Sequence, residues 1–433
     1  MSEPILNVPS LQEAFAAVQG VSAEAAKDSA KLRELASQAP VIRLVDQMLA
    51  EAVNRRASDI HVEGLEESVN IRYRVDGICY QVAQPPKSLA LAIASRLKIL
   101  ANLDVAESRL PQDGRVLITH EQRQIDLRVS TLPTICGESI VLRVLDKGTL
   151  NKTLDQLGME ASTQRLLDGL IRRPHGLVLV TGPTGSGKTT TLYACLTRLN
   201  RPEVKIVTTE DPVEYDIPGL VQVAINQKIS LDFPTCLRSI LRHDPDIIMV
   251  GEIRDMETAQ VAVQAALTGH LVFSTLHTND APGAVTRLLD MGVEPFLITS
   301  TVTGVLAQRL VRMLCPACRV PREPSTLPPN ASTLVMAEAN EAAPRLMEAK
   351  GCDACGGLGF RGRAGLYELL VLDETIRPLV LERASLSTLR EAARKAPAPG
   401  QAGMRTLREG GLAKVRAGET TLEEVLRETQ DYD

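Results

Sequence analysis

The chain has no tryptophan, and only five phenylalanines and six tyrosines among its 433 residues. Platforms on which unpaired bases stack are therefore poorly supplied. A basic excess is missing too. Lys and Arg number 48 against 53 Asp and Glu, a net charge of −5, whereas proteins that coat nucleic acid carry a strongly positive surface. No apolar run approaches the roughly 18–20 residues that cross a bilayer. The stretch 1–20 lacks the basic segment and apolar core of a secretory signal. Eight cysteines are too sparse for a disulfide scaffold, and half of them fall in two C-x-x-C pairs. Secreted, membrane-spanning and disordered classes are disfavoured. With 44% apolar and 23% charged residues, the chain reads as a cytoplasmic globular protein of two or three domains.

Residues 1–39 are rich in Ala and Gln, with Leu11, Phe15 and Val18 at helical spacing, and read as a short helical arm. After Pro40 a firmer helix shows Val41, Leu44, Val45, Met48, Leu49 and Ala52 on one face. The period then changes to two. Val69, Ile71, Tyr73 and Val75 alternate with polar residues, and Asp76-Gly77 turns the chain into a strand over 78–82. A helix over 88–103 and strands over 115–119, 124–130 and 139–145 complete an α+β domain at 40–148. Beyond Gly176 the pattern differs again. Apolar runs at 177–180, 204–207, 247–250 and 271–273 alternate with helical stretches, as parallel strands buried by crossover helices do. The region 149–433 is thus α/β, with a Pro-rich loop at 320–345, a linker at 396–403 and a terminal helical segment at 404–430.

Gly182, Pro183, Thr184, Gly185, Ser186, Gly187, Lys188 and Thr189 fit G-x-x-x-x-G-K-[ST] in full, with Thr190 next. The run follows an apolar strand and opens a helix, the setting in which successive N–H groups turn toward one anion. Lys188 is placed to reach the β- and γ-phosphates of ATP, and the Thr189 hydroxyl to take a place on Mg²⁺. The bland alternative is a Gly-rich surface turn. Hydrolysis also needs carboxylates beyond the strand ends. One strand runs into Glu210-Asp211-Pro212-Val213-Glu214 and another into Gly251-Glu252. Glu252 is the candidate to polarise water, though acids also serve as plain turn residues. His270 and His277 bracket a third strand. Each could orient water or sense a phosphate, or be an ordinary hydrogen-bonded histidine.

Cys315-Pro-Ala-Cys318 and Cys352-Asp-Ala-Cys355 are two knuckles whose four thiolates suit a closed structural Zn²⁺ site. A disulfide pair or a redox switch is the alternative. The metal would staple a small subdomain at 312–366.

Taken together these residues resemble the secretion ATPases of the GspE/PilB family, which drive type II secretion and type IV pilus assembly. The likeness covers about 40–430. It rests on Ala57-Ser-Asp-Ile-His61, Leu110-Pro-Gln-Asp-Gly-Arg115, Asp126-Leu-Arg-Val-Ser130 and the phosphate loop. It also rests on Thr209-Glu-Asp-Pro-Val-Glu214, Leu241-Arg-His-Asp-Pro-Asp246, Gly251-Glu-Ile-Arg-Asp255 and the stretch 268–280. The resemblance implies a RecA-like P-loop ATPase domain behind the α+β domain, a homohexameric ring, and domain closure that brings Arg115 and Arg128 toward bound nucleotide. It also implies platform proteins and a membrane-anchored docking protein at the inner membrane, with no nucleic acid as partner. The tetracysteine element is commoner in the family's extension motors than in its retraction motors. A pilus retraction ATPase and a nucleic-acid translocase are the alternatives. Family members often carry one or two further domains ahead of the position of residue 40, so the short arm leaves the docking partner open.

Overall fold

The computed structural model describes residues 11, 13, 29–146, 152–323, 345–395 and 403–429. Most of the arm expected at 1–39, the loop expected at 320–345 and the linker expected at 396–403 lie outside these residues. The chain forms two compact units. One is Met1–Leu150 with Cys315–Cys318 and Ala349–Gly362, and the other is Asn151–Leu314, Arg319–Glu348 and Arg363–Asp433. No helix among the described residues is long and apolar enough to cross a membrane.

In the first unit α1 (Ser29–Ala36) precedes α2 (Ala39–Asn54). Pro40 starts α2, where its missing N–H costs nothing, and Val41, Leu44, Val45, Met48 and Leu49 form the buried stripe. Six antiparallel strands follow: β1 (Ala57–Gly64), β2 (Val69–Val75), β3 (Ile78–Ala83), then, after α3 (Ala90–Leu100), β4 (Gln112–His120), β5 (Arg123–Thr134) and β6 (Gly137–Asp146). Their order in the sheet is β3-β2-β1-β6-β5-β4. Residues of α2 and α3 share one core with Ile60, Ile71, Leu127 and Ile140 of the sheet. The Tyr73 hydroxyl donates to the Met48 carbonyl at 2.8 Å, tying sheet to helix. At the β2–β3 turn Asp76 and Gly77 both take positive φ (48° and 90°), as the expected two-residue hairpin turn demands.

β1 has no counterpart among the strands expected from sequence, yet it pairs with both β2 and β6. Its buried positions are Ala57, Ile60 and Val62, and the rest are polar and half-buried. A three-residue apolar signal directly behind a helix offers no period to detect.

The second unit opens with α4 (Ala161–Ile171), β7 (Gly176–Thr181), α5 (Lys188–Leu199), β8 (Ile206–Glu210) and β9 (Val221–Ala224). There follow α6 (Phe233–Ile240), β10 (Ile247–Val250), α7 (Met256–Leu267), β11 (Leu271–Leu276), α8 (Ala281–Asp290), α9 (Pro295–Thr301) and β12 (Val302–Leu314). Two short strands, β13 (Val320–Pro321) and β14 (Met347–Glu348), lead to β15 (Phe360–Val371). The chain ends with α10 (Ile376–Leu381), α11 (Leu386–Arg394), α12 (Leu407–Arg416) and α13 (Leu422–Glu428). The main sheet has the order β15-β12-β7-β11-β10-β8-β9, and the pairings from β12 across to β9 are parallel. Every residue of β7, β10 and β11 is buried, which is why they carry the apolar runs 177–180, 247–250 and 271–273.

Asp232, Asp255 and Asp280 each cap a helix, accepting from the backbone N–H of Thr235, Thr258 and Gly283. Two of these acids, Asp255 and Asp280, stand in the stretches that carry the family resemblance, and their oxygens begin α7 and α8.

Candidate active site

Because β7 is wholly buried, the chain leaves it deep in the sheet and must turn at once. Gly182, Gly185 and Gly187 make the turn with φ of 147°, 80° and 89°, a left-handed geometry that penalises any Cβ by about 1–2 kcal/mol. At Gly182 there is no room either: a Cβ would lie 2.5 Å from the Gln308 carbonyl oxygen. Gly187 is the N-cap of α5, so Lys188, Thr189 and Thr190 form a first turn with unpaired N–H groups and the positive end of the helix dipole. Pro183, Thr184, Gly185 and Thr189 are exposed, while Ser186 is buried. The Ser186 hydroxyl has no hydrogen-bond partner among the described residues. Lys188 Nζ donates to the carbonyls of Gly182 (2.8 Å) and Pro183 (3.1 Å), which folds its ammonium over the loop. The whole is a cradle for an oligophosphate.

Glu252 lies just beyond β10, and His277 just beyond β11. The two strands are adjacent and in register, so their carboxyl ends meet. His277 Nε2 is 3.2 Å from Glu252 Oε2, and the other carboxylate oxygen pairs with Arg254. The charge of Glu252 also acts on Lys188, favouring its protonated form. These three sequence-predicted residues are therefore brought together.

Glu210 closes β8, but its carboxylate is buried and fully engaged. The Tyr193 and Thr208 hydroxyls donate to it, the latter at 2.5 Å, and Gln222 Nε2 does so at 3.1 Å. Glu214 is half-buried in the following loop, and its N–H reaches the Tyr193 hydroxyl at 3.4 Å. His270 is not brought to Glu252. It precedes β11, whose six residues, rising about 3.3 Å each, separate it from His277. Its Nδ1 lies 2.9 Å from the Ala265 carbonyl and 3.1 Å from the Thr268 hydroxyl, in the turn after α7.

In the first unit Arg115, Arg128 and Arg143 stand side by side on β4, β5 and β6. Like charges directly opposite one another destabilise a sheet, and two acids offset this row. Buried Asp126 takes Arg115 Nε at 2.7 Å, and Asp59 takes Arg143 Nε at 3.3 Å. The Arg115 side chain is still 60% exposed.

The sulfurs of Cys315, Cys318, Cys352 and Cys355 all lie within 4.8 Å of one another. Three of the separations are 4.0, 3.8 and 3.8 Å, near the roughly 3.8 Å edge of a tetrahedron with Zn–S bonds of about 2.3 Å. Cys355 Sγ accepts the N–H of Gly359 at 3.1 Å and of Cys352 at 3.2 Å. Burial pushes this thiol up, but those N–H groups and its sulfur neighbours bring it down to about 7. Gly351 allows the tight approach, since a Cβ there would lie 2.5 Å from the Gly357 oxygen. Donor chemistry and spacing both fit a tetrahedral zinc centre.

With this geometry in view, residues 34–427 match the Type II/IV secretion system protein family. The chain belongs to that family. Type II secretion system protein HxcR of Pseudomonas aeruginosa is 53% identical over 393 residues, 91% of this chain and 78% of that protein. Type II secretion system ATPase E of Vibrio cholerae is 48% identical over 410 residues, 94% of this chain and 79% of that one. Among solved structures, the Legionella pneumophila ATPase DotB superposes with a TM-score of 0.65 at 22% identity, over 88% of this chain and 94% of that one. The pilus retraction motor PilT with bound ADP gives 0.58 at 25% identity, over 89% and 97%. The fold of this secretion-family protein is RecA-like, as the sequence resemblance implies.

Two residues of the secretion protein's site have no counterpart in the sequence reading: Tyr193, which binds Glu210, and Gln308, which backs the phosphate loop. A signal for Gln308 does exist. Gln308-Arg309 is a polar pair inside the otherwise apolar run 305–311, and both side chains are buried.

Burial lowers Lys188 to about 8, with Arg309 adding to the effect and Glu252 opposing it. As pH rises through that value the amine loses its proton and its pull on a phosphate, whereas a bound phosphate holds the proton on. Nucleotide binding should therefore take up protons, and ADP affinity should fall by up to about tenfold per pH unit above about 8. Titration calorimetry at neutral and alkaline pH, in buffers of different ionisation enthalpy, measures both effects. An affinity flat across the range would mean that Lys188 stays charged throughout.

Proposed function

We propose that this protein is the ATP-hydrolysing motor of a type II secretion system, assembling pseudopilus subunits from the cytoplasmic face of the inner membrane. The observation that carries the reading is the convergence of the phosphate loop with the Glu252–His277 pair at the carboxyl ends of neighbouring strands. The relatives named above, about half identical over most of both chains, support type II secretion over pilus assembly. In this assignment the loop 182–189 grips the triphosphate and Lys188 neutralises its outer phosphates. Glu252 takes a proton from the attacking water, and His277 holds the carboxylate in position. Thr189, exposed in the first turn of α5, would hold Mg²⁺, which neutralises charge on the phosphates. Glu210, occupied by Tyr193, Thr208 and Gln222, anchors the loop that carries Glu214 instead of meeting water. Arg115 and Arg128 lend positive charge to the transferring phosphoryl group when a homohexameric ring closes on nucleotide. The four cysteines hold Zn²⁺ as a structural staple. Platform proteins and a membrane-anchored docking protein recruit the ring to the inner membrane.

Two measurements test the assignment. The purified chain should hydrolyse ATP, and it should restore secretion to a type II-competent strain that lacks its own E protein, with both effects lost in Lys188→Ala. Restored pilus retraction without secretion would favour the PilT-like reading. Hydrolysis stimulated by DNA with a steep salt dependence would favour a translocase.

A further inference from the structure

We infer that Gln308 is a positioning residue of the phosphate loop: its side-chain amide fixes the peptide between Ser186 and Gly187 so that the Gly187 N–H faces the nucleotide. The inference rests on the nucleotide-binding reading above and adds to it a residue on a different strand.

β12 lies parallel to β7, with Leu306 opposite Val180 and Ala307 opposite Thr181. Gln308 is therefore the next residue along, level with the point where the chain leaves β7 for the loop. Its side chain is buried, at 2% exposure, and both ends of its amide are used. Nε2 donates to the Ser186 carbonyl at 2.8 Å, and Oε1 accepts from the Thr191 hydroxyl at 2.7 Å.

The consequence follows from peptide geometry. The Ser186 carbonyl and the Gly187 N–H belong to one planar trans unit and point in opposite directions. Holding the carbonyl against Gln308 thus aims the N–H away from β12, to the side where the loop would receive phosphate. The Ser186 carbonyl settles which way round the amide sits, because it can only accept and so selects NH₂ at that end, leaving Oε1 to accept from the Thr191 hydroxyl. The fit is close. A Cβ at Gly187 would lie 2.8 Å from Gln308 Nε2, and one at Gly182 would lie 2.5 Å from the Gln308 carbonyl oxygen. Two of the loop's glycines are therefore small partly because Gln308 lies directly beneath them.

The test uses full-length protein with ADP and Mg-ATP as probes, comparing Gln308→Leu, Thr191→Val and the double variant. ADP affinity should fall by about 10–100-fold in Gln308→Leu and by about 3–10-fold in Thr191→Val. The effects should be non-additive, since Thr191 acts through the same amide. KM for ATP should rise in step while kcat changes by less than about threefold, as loss of ground-state phosphate binding requires. Thr191→Val removes one hydroxyl at nearly constant volume, and it carries the test alone if Gln308→Leu does not fold. ADP affinity within about twofold of wild type, or effects that add, would overturn the inference. If wild-type protein itself fails to bind ADP, it is the nucleotide-binding reading that falls.

Discussion

Glu252→Gln is expected to bind ATP and ADP at neutral pH about as well as wild type while turning ATP over some 10²–10⁴-fold more slowly, the usual contribution of a general base. The substitution keeps the side chain's size; its one amide oxygen can still accept from Arg254 while its NH₂ donates to His277 Nε2 of a neutral ring, so the strand ends should stay in place. What it removes is a basic oxygen beside the phosphate loop. The same change withdraws a negative charge that favours protonated Lys188, so the variant's nucleotide affinity should begin to fall at a lower pH than wild type's. Single-turnover hydrolysis and equilibrium binding, run side by side, separate these effects. Turnover within about threefold of wild type would take the role from Glu252 and direct attention to Glu214, in the loop after β8.

The second large effect concerns the cysteines. Purified protein should carry about one zinc per chain, and Cys355→Ser should release it and melt the element around 349–362, since structural zinc supplies roughly 10–16 kcal/mol of apparent binding energy in small domains. Within itself the element has little else to hold it. The core at its centre consists of the cysteines themselves, and five of its residues are glycines at positive φ: Gly351, Gly356, Gly357, Gly359 and Gly362. Cys355 is the informative position because its sulfur also collects two backbone N–H groups, which would be left poorly satisfied by a hydroxyl. Elemental analysis with thermal melts, with and without chelator, reads the result. Wild-type protein that is metal-free and equally stable would refute the zinc assignment.

How much of this could be read from the residues depended on whether the signal was local. The phosphate loop, the Asp76-Gly77 hairpin and the strands at 69–75 and 247–250 were legible, because glycine geometry and apolar period act over a few residues. β12 and β15 were not. β12 follows α9 with no turn residue between them and carries Gln308, Arg309 and Arg312 inside it, while β15 begins Phe-Arg-Gly-Arg-Ala-Gly. Both become strands because neighbours in the sheet supply their hydrogen bonds and cover. Among the acids, Glu210 and Glu252 look alike in sequence, each closing an apolar strand. Only the tertiary neighbours separate them, with Tyr193 and Gln222 around one and His277 and Arg254 around the other. The two histidines differ for a simpler reason, since residues at opposite ends of one strand cannot share a site.

The tetracysteine element is encoded in the second half of the sequence yet folds with the first unit. Leu358 joins the apolar core built from α2, α3 and the antiparallel sheet, and the Gly362 N–H donates to Asp76 Oδ2 at 2.8 Å. A gene split near codon 150 would consequently yield neither half intact: the front piece would lack its thiolate-bearing inserts, and the rear piece would carry them with their apolar partner missing. Swapping halves between relatives meets the same obstacle. A chimaera that respects the fold must take 315–318 and 349–362 from whichever parent donates the amino-terminal sheet.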